Sequence, residues 1–133
     1  MIGLVVATHG RLAEELLRAC EMIIGPVQNV RTVGIGREDS VEEIRGALQQ
    51  AVDAVGQDGE GVLIMTDMFG GTPSNISLAF LEPSKIEVLT GVNLPMVLKF
   101  FNSQEGVALL DLAAMLRAYA QQSISLASEF LQK

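Results

Sequence analysis

The sequence predicts an α/β fold with parallel strands, and three observations predict it. Four short apolar runs, Ile2–Ala7, Val30–Ile35, Val62–Met65 and Ile86–Thr90, read as strands. Between them the apolar residues recur at helical spacing, so strand and helix alternate as they do around a parallel sheet. Turn residues gather where strands stop: Thr8-His9-Gly10-Arg11, Asp67-Met68-Phe69-Gly70-Gly71 and Gly91-Val92-Asn93.

The length of 133 residues fits one domain, residues 1–133, with a core of ordinary size. Hydrophobic residues at 49% against 19% charged describe a globular chain and exclude a disordered one. A net charge of −7 argues against nucleic acid and favours a basic protein partner. One histidine and one cysteine leave neither a zinc cluster nor an internal disulfide. The opening Met1-Ile2-Gly3 carries no charged leader, and no apolar run reaches the length of a membrane span, so a cytoplasmic location is expected.

After the first strand, a helix is expected from Leu12 to Ile24. Leu12, Leu16, Leu17, Cys20, Ile23 and Ile24 form its core face, and Gly25-Pro26 ends it. On that face Cys20 reads as a core thiol. Val30–Ile35 is a weaker strand, and Gly34 and Gly36 lack the third glycine of a dinucleotide fingerprint. Ser40 and Glu43 make a capping box for a helix that turns Ile44, Leu48, Ala51, Val52 and Val55 inward. The polar loop Gly56–Gly61 leads to the third strand. Thr72 as N-cap and Pro73 as the first helical residue open a short helix to about Leu81. Beyond the fourth strand, one helix is expected from Pro95 to Phe101 and another from Glu105 to Ala120. Ile124, Leu126 and Phe130, with polar residues between them, suggest a half-buried strand in 123–130; a continued helix is the competing reading.

The candidate site lies where the first and third strands end. Open α/β sheets bind ligands at the carboxyl ends of their strands. If these two strands pair, His9 and Asp67 become neighbours. The carboxylate then fixes one tautomer and leaves the other ring nitrogen with a free lone pair. No serine or cysteine is placed for activation, so the imidazole itself is the expected nucleophile. Gly10, Gly70 and Gly71 offer main-chain N–H groups and Thr72 a hydroxyl, a setting that suits a phosphoryl group. Arg11 could clamp a phosphate or be a solvated arginine, and Asn93 could belong to the rim or only to its turn. Met68 and Phe69 could form a docking patch or pack inward.

These residues make the chain resemble the IIA domain of the mannose-family sugar phosphotransferase system. The motifs are Thr8-His9-Gly10, Glu21-Met22-Ile23-Ile24-Gly25, Asp67-Met68-Phe69-Gly70-Gly71-Thr72-Pro73 and Gly91-Val92-Asn93-Leu94-Pro95. Together they cover nearly the whole chain in one register. The resemblance implies a doubly wound, mainly parallel sheet of strand order 2-1-3-4, with helices on both faces. It also implies a fifth, antiparallel C-terminal strand exchanged within a homodimer. His9 would take a phosphoryl group from HPr on Nε2 and pass it to a IIB protein, and Asp67 would bond Nδ1. The hydroxyl beside the phosphoryl group would be that of Thr72, where many relatives have serine. No metal or nucleotide cofactor is implied, and membrane association would be indirect, through transporter components. A chain ending at Lys133 leads us to expect the IIB acceptor on a separate polypeptide. Competing readings are the phosphoryl-transfer subunit of a dihydroxyacetone kinase, a regulatory module switched by phosphorylation, and a hydrolase. The sugar is unreadable from this chain.

Overall fold

A computed structural model describes residues 1–132. In chain order the elements are β1 (Gly3–His9), α1 (Leu12–Ile24), β2 (Val30–Ile35), α2 (Val41–Val55) and β3 (Val62–Thr66). They continue with α3 (Thr72–Leu78), β4 (Ile86–Thr90), α4 (Leu94–Phe101), α5 (Leu109–Gln122) and α6 (Ala127–Leu131). The strands form one parallel sheet in the order β2-β1-β3-β4, the order expected.

Side chains along a strand alternate between faces, and here both faces are covered. Leu4, Val6, Leu63 and Met65 join the core made with α1, α4 and α5, where Phe100, Leu112 and Leu116 are buried. Val5, Ala7 and Ile64 join a second core with Ile44, Leu48, Val52 and Val55 of α2 and Ile76 of α3. The capping box forms as expected: the Glu43 N–H donates to Ser40 Oγ at 3.1 Å and the Ser40 N–H to Glu43 Oε1 at 3.0 Å. Cys20 is fully buried, and that burial pushes its thiol above the usual range, as suits a core residue. No helix among the described residues is long and apolar enough to cross a membrane.

Three expectations are corrected. The core face of α1 is Ala13 and Cys20 with Leu16 and Leu17 packed beside them, whereas Leu12, Ile23 and Ile24 are exposed. Ala13 in the first turn and Cys20 farther along meet the core, and the last turn, with Ile23 and Ile24, stays outside it. Helix α5 begins at Leu109 rather than Glu105, because Gly106 takes a φ of +67° and breaks the helical path. Among the described residues the tail forms no fifth strand. It closes local bonds instead. The N–H groups of Glu129 and Phe130 both donate to the Leu126 carbonyl at 3.1 Å, and Ala127–Leu131 coils into a short helix. Ile124, Leu126 and Phe130 are left exposed.

Candidate active site

Sheet register puts the two key turns side by side. Strands β1 and β3 pair from Gly3 opposite Val62 to Ala7 opposite Thr66, so both chains leave the sheet at the same edge. There Asp67 Oδ2 accepts from the His9 backbone N–H at 3.0 Å and lies 2.8 Å from Nδ1. One carboxylate oxygen thus holds both the main chain and the ring of His9. The tautomer this bond selects has its proton on Nδ1 and its lone pair on Nε2. The aspartate is sheltered and the imidazole open: their side chains are 13% and 52% exposed. Burial pushes the Asp67 carboxyl up, but the hydrogen bonds and charge of His9 outweigh it and hold the group below its usual range. Asp67 Oδ1 is buried with no partner among the described residues, so all the orienting contact passes through Oδ2.

Thr8, which the sequence reading passed over, fixes the turn from below. Its buried hydroxyl accepts from the Ala13 N–H at 2.7 Å and donates to the His9 carbonyl at 3.2 Å. It supplies the start of α1 with the acceptor that Arg11, at the N-cap, does not provide. The partner lies five residues on, outside the capping-box spacing that a sequence search uses.

On the other side of the ring stands the double-glycine turn. Gly70 has a φ of +93°, a region open to glycine. Gly71 comes so close that an added Cβ would lie 2.9 Å from His9 Cε1 and 3.5 Å from Nε2. The N-cap of α3 is Gly71, not Thr72 as expected: the Asn75 N–H donates to the Gly71 carbonyl at 2.9 Å. The glycine's extended backbone suits the cap position, so Thr72 becomes the first helical residue and Pro73 the second. Its hydroxyl makes no capping bond, and Thr72 lines an open cavity of about 470 Å³ with His9, Gly10, Gly36, Arg37 and Asp39. Another cavity, of about 360 Å³, lies beside Asp53, Glu82 and Lys85 where β3 and β4 begin, remote from the strand ends that carry His9 and Asp67.

The remaining candidates separate. Arg11 lies 3.5 Å from Glu14 and 3.9 Å from Glu15 and lines an adjoining cavity, not the one beside His9. Asn93 caps α4 by accepting from the Met96 N–H at 3.0 Å, and its amide donates to the Ala120 carbonyl at 3.2 Å, so both ends serve the fold. Met68 and Phe69 are 53% and 73% exposed, which removes core packing as their role. Arg37 was missed although it follows β2 at the same sheet edge; that position was the available signal.

A model of the EIIA-man family, described as a PTS system fructose IIA component, matches residues 3–118, a span that includes both site turns. Over 134 residues the chain is 33% identical to the fructose-specific EIIA component of Bacillus subtilis, covering 100% of this chain and 91% of that protein. It is 34% identical over 103 residues to the mannose-specific EIIAB component of Escherichia coli strain K12, covering 74% of this chain but 30% of that protein. Among solved structures, the phosphotransferase system component EIIA from Streptococcus agalactiae superposes with a TM-score of 0.87 at 29% identity, covering 97% of this chain and 99% of that one. The IIA protein associated with the fucose utilization operon of Streptococcus pneumoniae superposes at 0.86, with 28% identity over 97% and 95% of the two chains. Sequence and fold agree, and the chain belongs to the mannose-type, EIIA-man, family of phosphotransferase-system IIA components.

Proposed function

We propose that the protein is a phosphocarrier that accepts a phosphoryl group from phospho-HPr on His9 Nε2 and passes it to a IIB protein. The observation that carries this reading is the 2.8 Å contact between His9 Nδ1 and Asp67 Oδ2, made by a ring whose side chain is 52% exposed. Because Nε2 bears no proton in this tautomer, attack requires no general base. The lone pair of Nε2 forms the bond to phosphorus while the donor's nitrogen–phosphorus bond breaks, and that electron pair stays on the donor's ring. The phosphorylated imidazole retains its Nδ1 proton and is cationic, and Asp67 stabilises it as an ion pair.

Transfer spreads charge over the three equatorial oxygens of the phosphoryl group, and donors placed around them lower the barrier. The Thr72 hydroxyl and the N–H groups of Gly10, Gly70 and Gly71 are the donors assigned here. Met68 and Phe69 are assigned to docking of the partner proteins, which exchange in turn on one face. The exposed residues Ile124, Leu126 and Phe130 fit burial against a second copy, as a homodimer requires. Relatives are named for fructose, mannose and sorbose, so sugar choice is assigned to other components.

The test is labelling from phosphoenolpyruvate in the presence of enzyme I and HPr, followed by addition of candidate IIB proteins. The unaltered chain takes up label and loses it to a IIB protein, and His9→Ala takes up none. Label retained by folded His9→Ala refutes the reading.

A further inference from the structure

Resting on that reading, we infer that Arg37 is a phosphoryl-binding residue, the cation that meets the phosphoryl group once it is on His9. Register brings it there. His9 pairs with Ile35 across β1 and β2, and the Gly10 N–H donates to the Ile35 carbonyl at 2.8 Å, so the loop after β2 is tied to the turn that carries the nucleophile. Arg37 is the second residue beyond that tie. The loop then closes on itself: the Gly36 N–H donates to Asp39 Oδ2 at 2.7 Å and the Asp39 N–H to the Gly36 carbonyl at 3.2 Å. The Asp39 carboxylate is therefore turned to the loop's own backbone, and Arg37 lines the cavity that His9 and Thr72 also line.

Charge points the same way. The chain has 16 acidic residues against 9 basic ones, yet Arg37 makes no salt bridge among the described residues. Arg11, the other arginine of this edge, is held by Glu14 and Glu15. The titratable groups that line the cavity with Arg37 are His9 and Asp39; Glu14 and Arg11, again with Asp39, line the adjoining one. A phosphoryl group brings close to two negative charges and three acceptor oxygens, for which a guanidinium is the matching donor.

The experiment compares the full chain with Arg37→Ala, Arg37→Lys and Arg117→Ala, the last removing an exposed charge on α5. Each is phosphorylated by phospho-HPr and, independently, by phosphoramidate, which requires no protein partner. The phosphorus resonance is followed against pH, and the transfer equilibrium with HPr is measured at low and high salt. In Arg37→Ala the second ionisation of the phosphoryl group moves up by about half a pH unit, and the equilibrium moves about three- to tenfold toward phospho-HPr. Arg37→Lys falls between, Arg117→Ala matches the unaltered chain, and high salt narrows the difference. If the unaltered chain is labelled on His9 and Arg37→Ala titrates as Arg117→Ala does, the assignment of Arg37 is overturned while the carrier reading stands. If the unaltered chain is not labelled on His9 at all, both are overturned.

Discussion

Replacing Asp67 with asparagine tests the orientation of the nucleophile with the smallest change of shape. The amide oxygen can occupy the place of Oδ2 and still accept from the His9 N–H and from Nδ1, contacts of 3.0 and 2.8 Å in the parent. The amino group then occupies the place of Oδ1, which is buried without a partner, at a cost of about 1–3 kcal/mol. In the opposite flip the amino group meets two donors and forces the proton onto Nε2, the atom proposed to attack. Charge is lost in either case. For a cationic ring 2.8 Å from the carboxylate, an effective dielectric of about 40–80 gives roughly 1.5–3 kcal/mol. The high dielectric is appropriate because the His9 side chain is 52% exposed. With the tautomer penalty added, the expected loss in transfer rate is about 10²–10³-fold. That is less than the roughly 10⁴-fold seen when the same change is made beneath the buried histidine of a serine protease. The assay is single-turnover transfer from phospho-HPr, with thermal unfolding as a check that the variant is folded at the assay temperature. A folded Asp67→Asn that transfers within threefold of the parent refutes the reasoning, because neither tautomer nor charge would then matter.

Three further outcomes are expected. Gly71→Ala places a Cβ 2.9 Å from His9 Cε1, so the ring must move; transfer falls about 10–100-fold while the unfolding temperature changes little, because the φ of −87° at this position suits alanine. Thr8→Val leaves the buried Ala13 N–H without its acceptor and lowers stability by about 1–3 kcal/mol, read as a fall of several degrees in the thermal midpoint. Acid titration of stability follows Asp67. Its folded pKa lies below the ordinary value of 3.8, so its contribution is complete above that value and is lost as pH falls through the folded pKa. Urea unfolding between pH 5 and pH 2 therefore shows a shallower acid loss in Asp67→Asn than in the parent, and parallel curves would contradict the assignment.

Much of the site was legible because strand ends announce themselves. His9 and Asp67 each follow an aliphatic run, and pairing of those runs was enough to bring the side chains within hydrogen-bond reach. The capping box at Ser40 was legible for a similar reason, since its partners are three residues apart. What escaped depended on distances that spacing does not encode. Thr8 caps across five residues, and Gly71 takes the cap position next to a threonine that carries the expected side chain. Arg37 reaches the site through the pairing of β1 with β2, a relation between segments rather than a motif within one. The apolar residues of α1 outnumber those its core face can bury, and sequence cannot say which remain outside. At the tail, apolar alternation described a strand, whereas local bonds to the Leu126 carbonyl coil Ala127–Leu131 into a short helix.

The same geometry bears on why a phosphoryl group on His9 would last long enough to be delivered. Hydrolysis requires a water near phosphorus and a base to take its proton. Two carboxylates stand at this edge, and each already accepts a hydrogen bond through Oδ2: Asp67 from His9, and Asp39 from the Gly36 N–H. Among the described residues lining the cavity with His9, no other carboxylate is present. In the proposed carrier an open ring is indispensable, because donor and acceptor would each bring a reacting atom to Nε2, and openness alone would expose the bond to water. What the site withholds is a carboxylate free of any hydrogen bond. The fold thus separates two demands that pull against each other: access comes from the exposed edge of His9, and persistence comes from carboxylates engaged with the ring and the backbone before any phosphoryl group arrives.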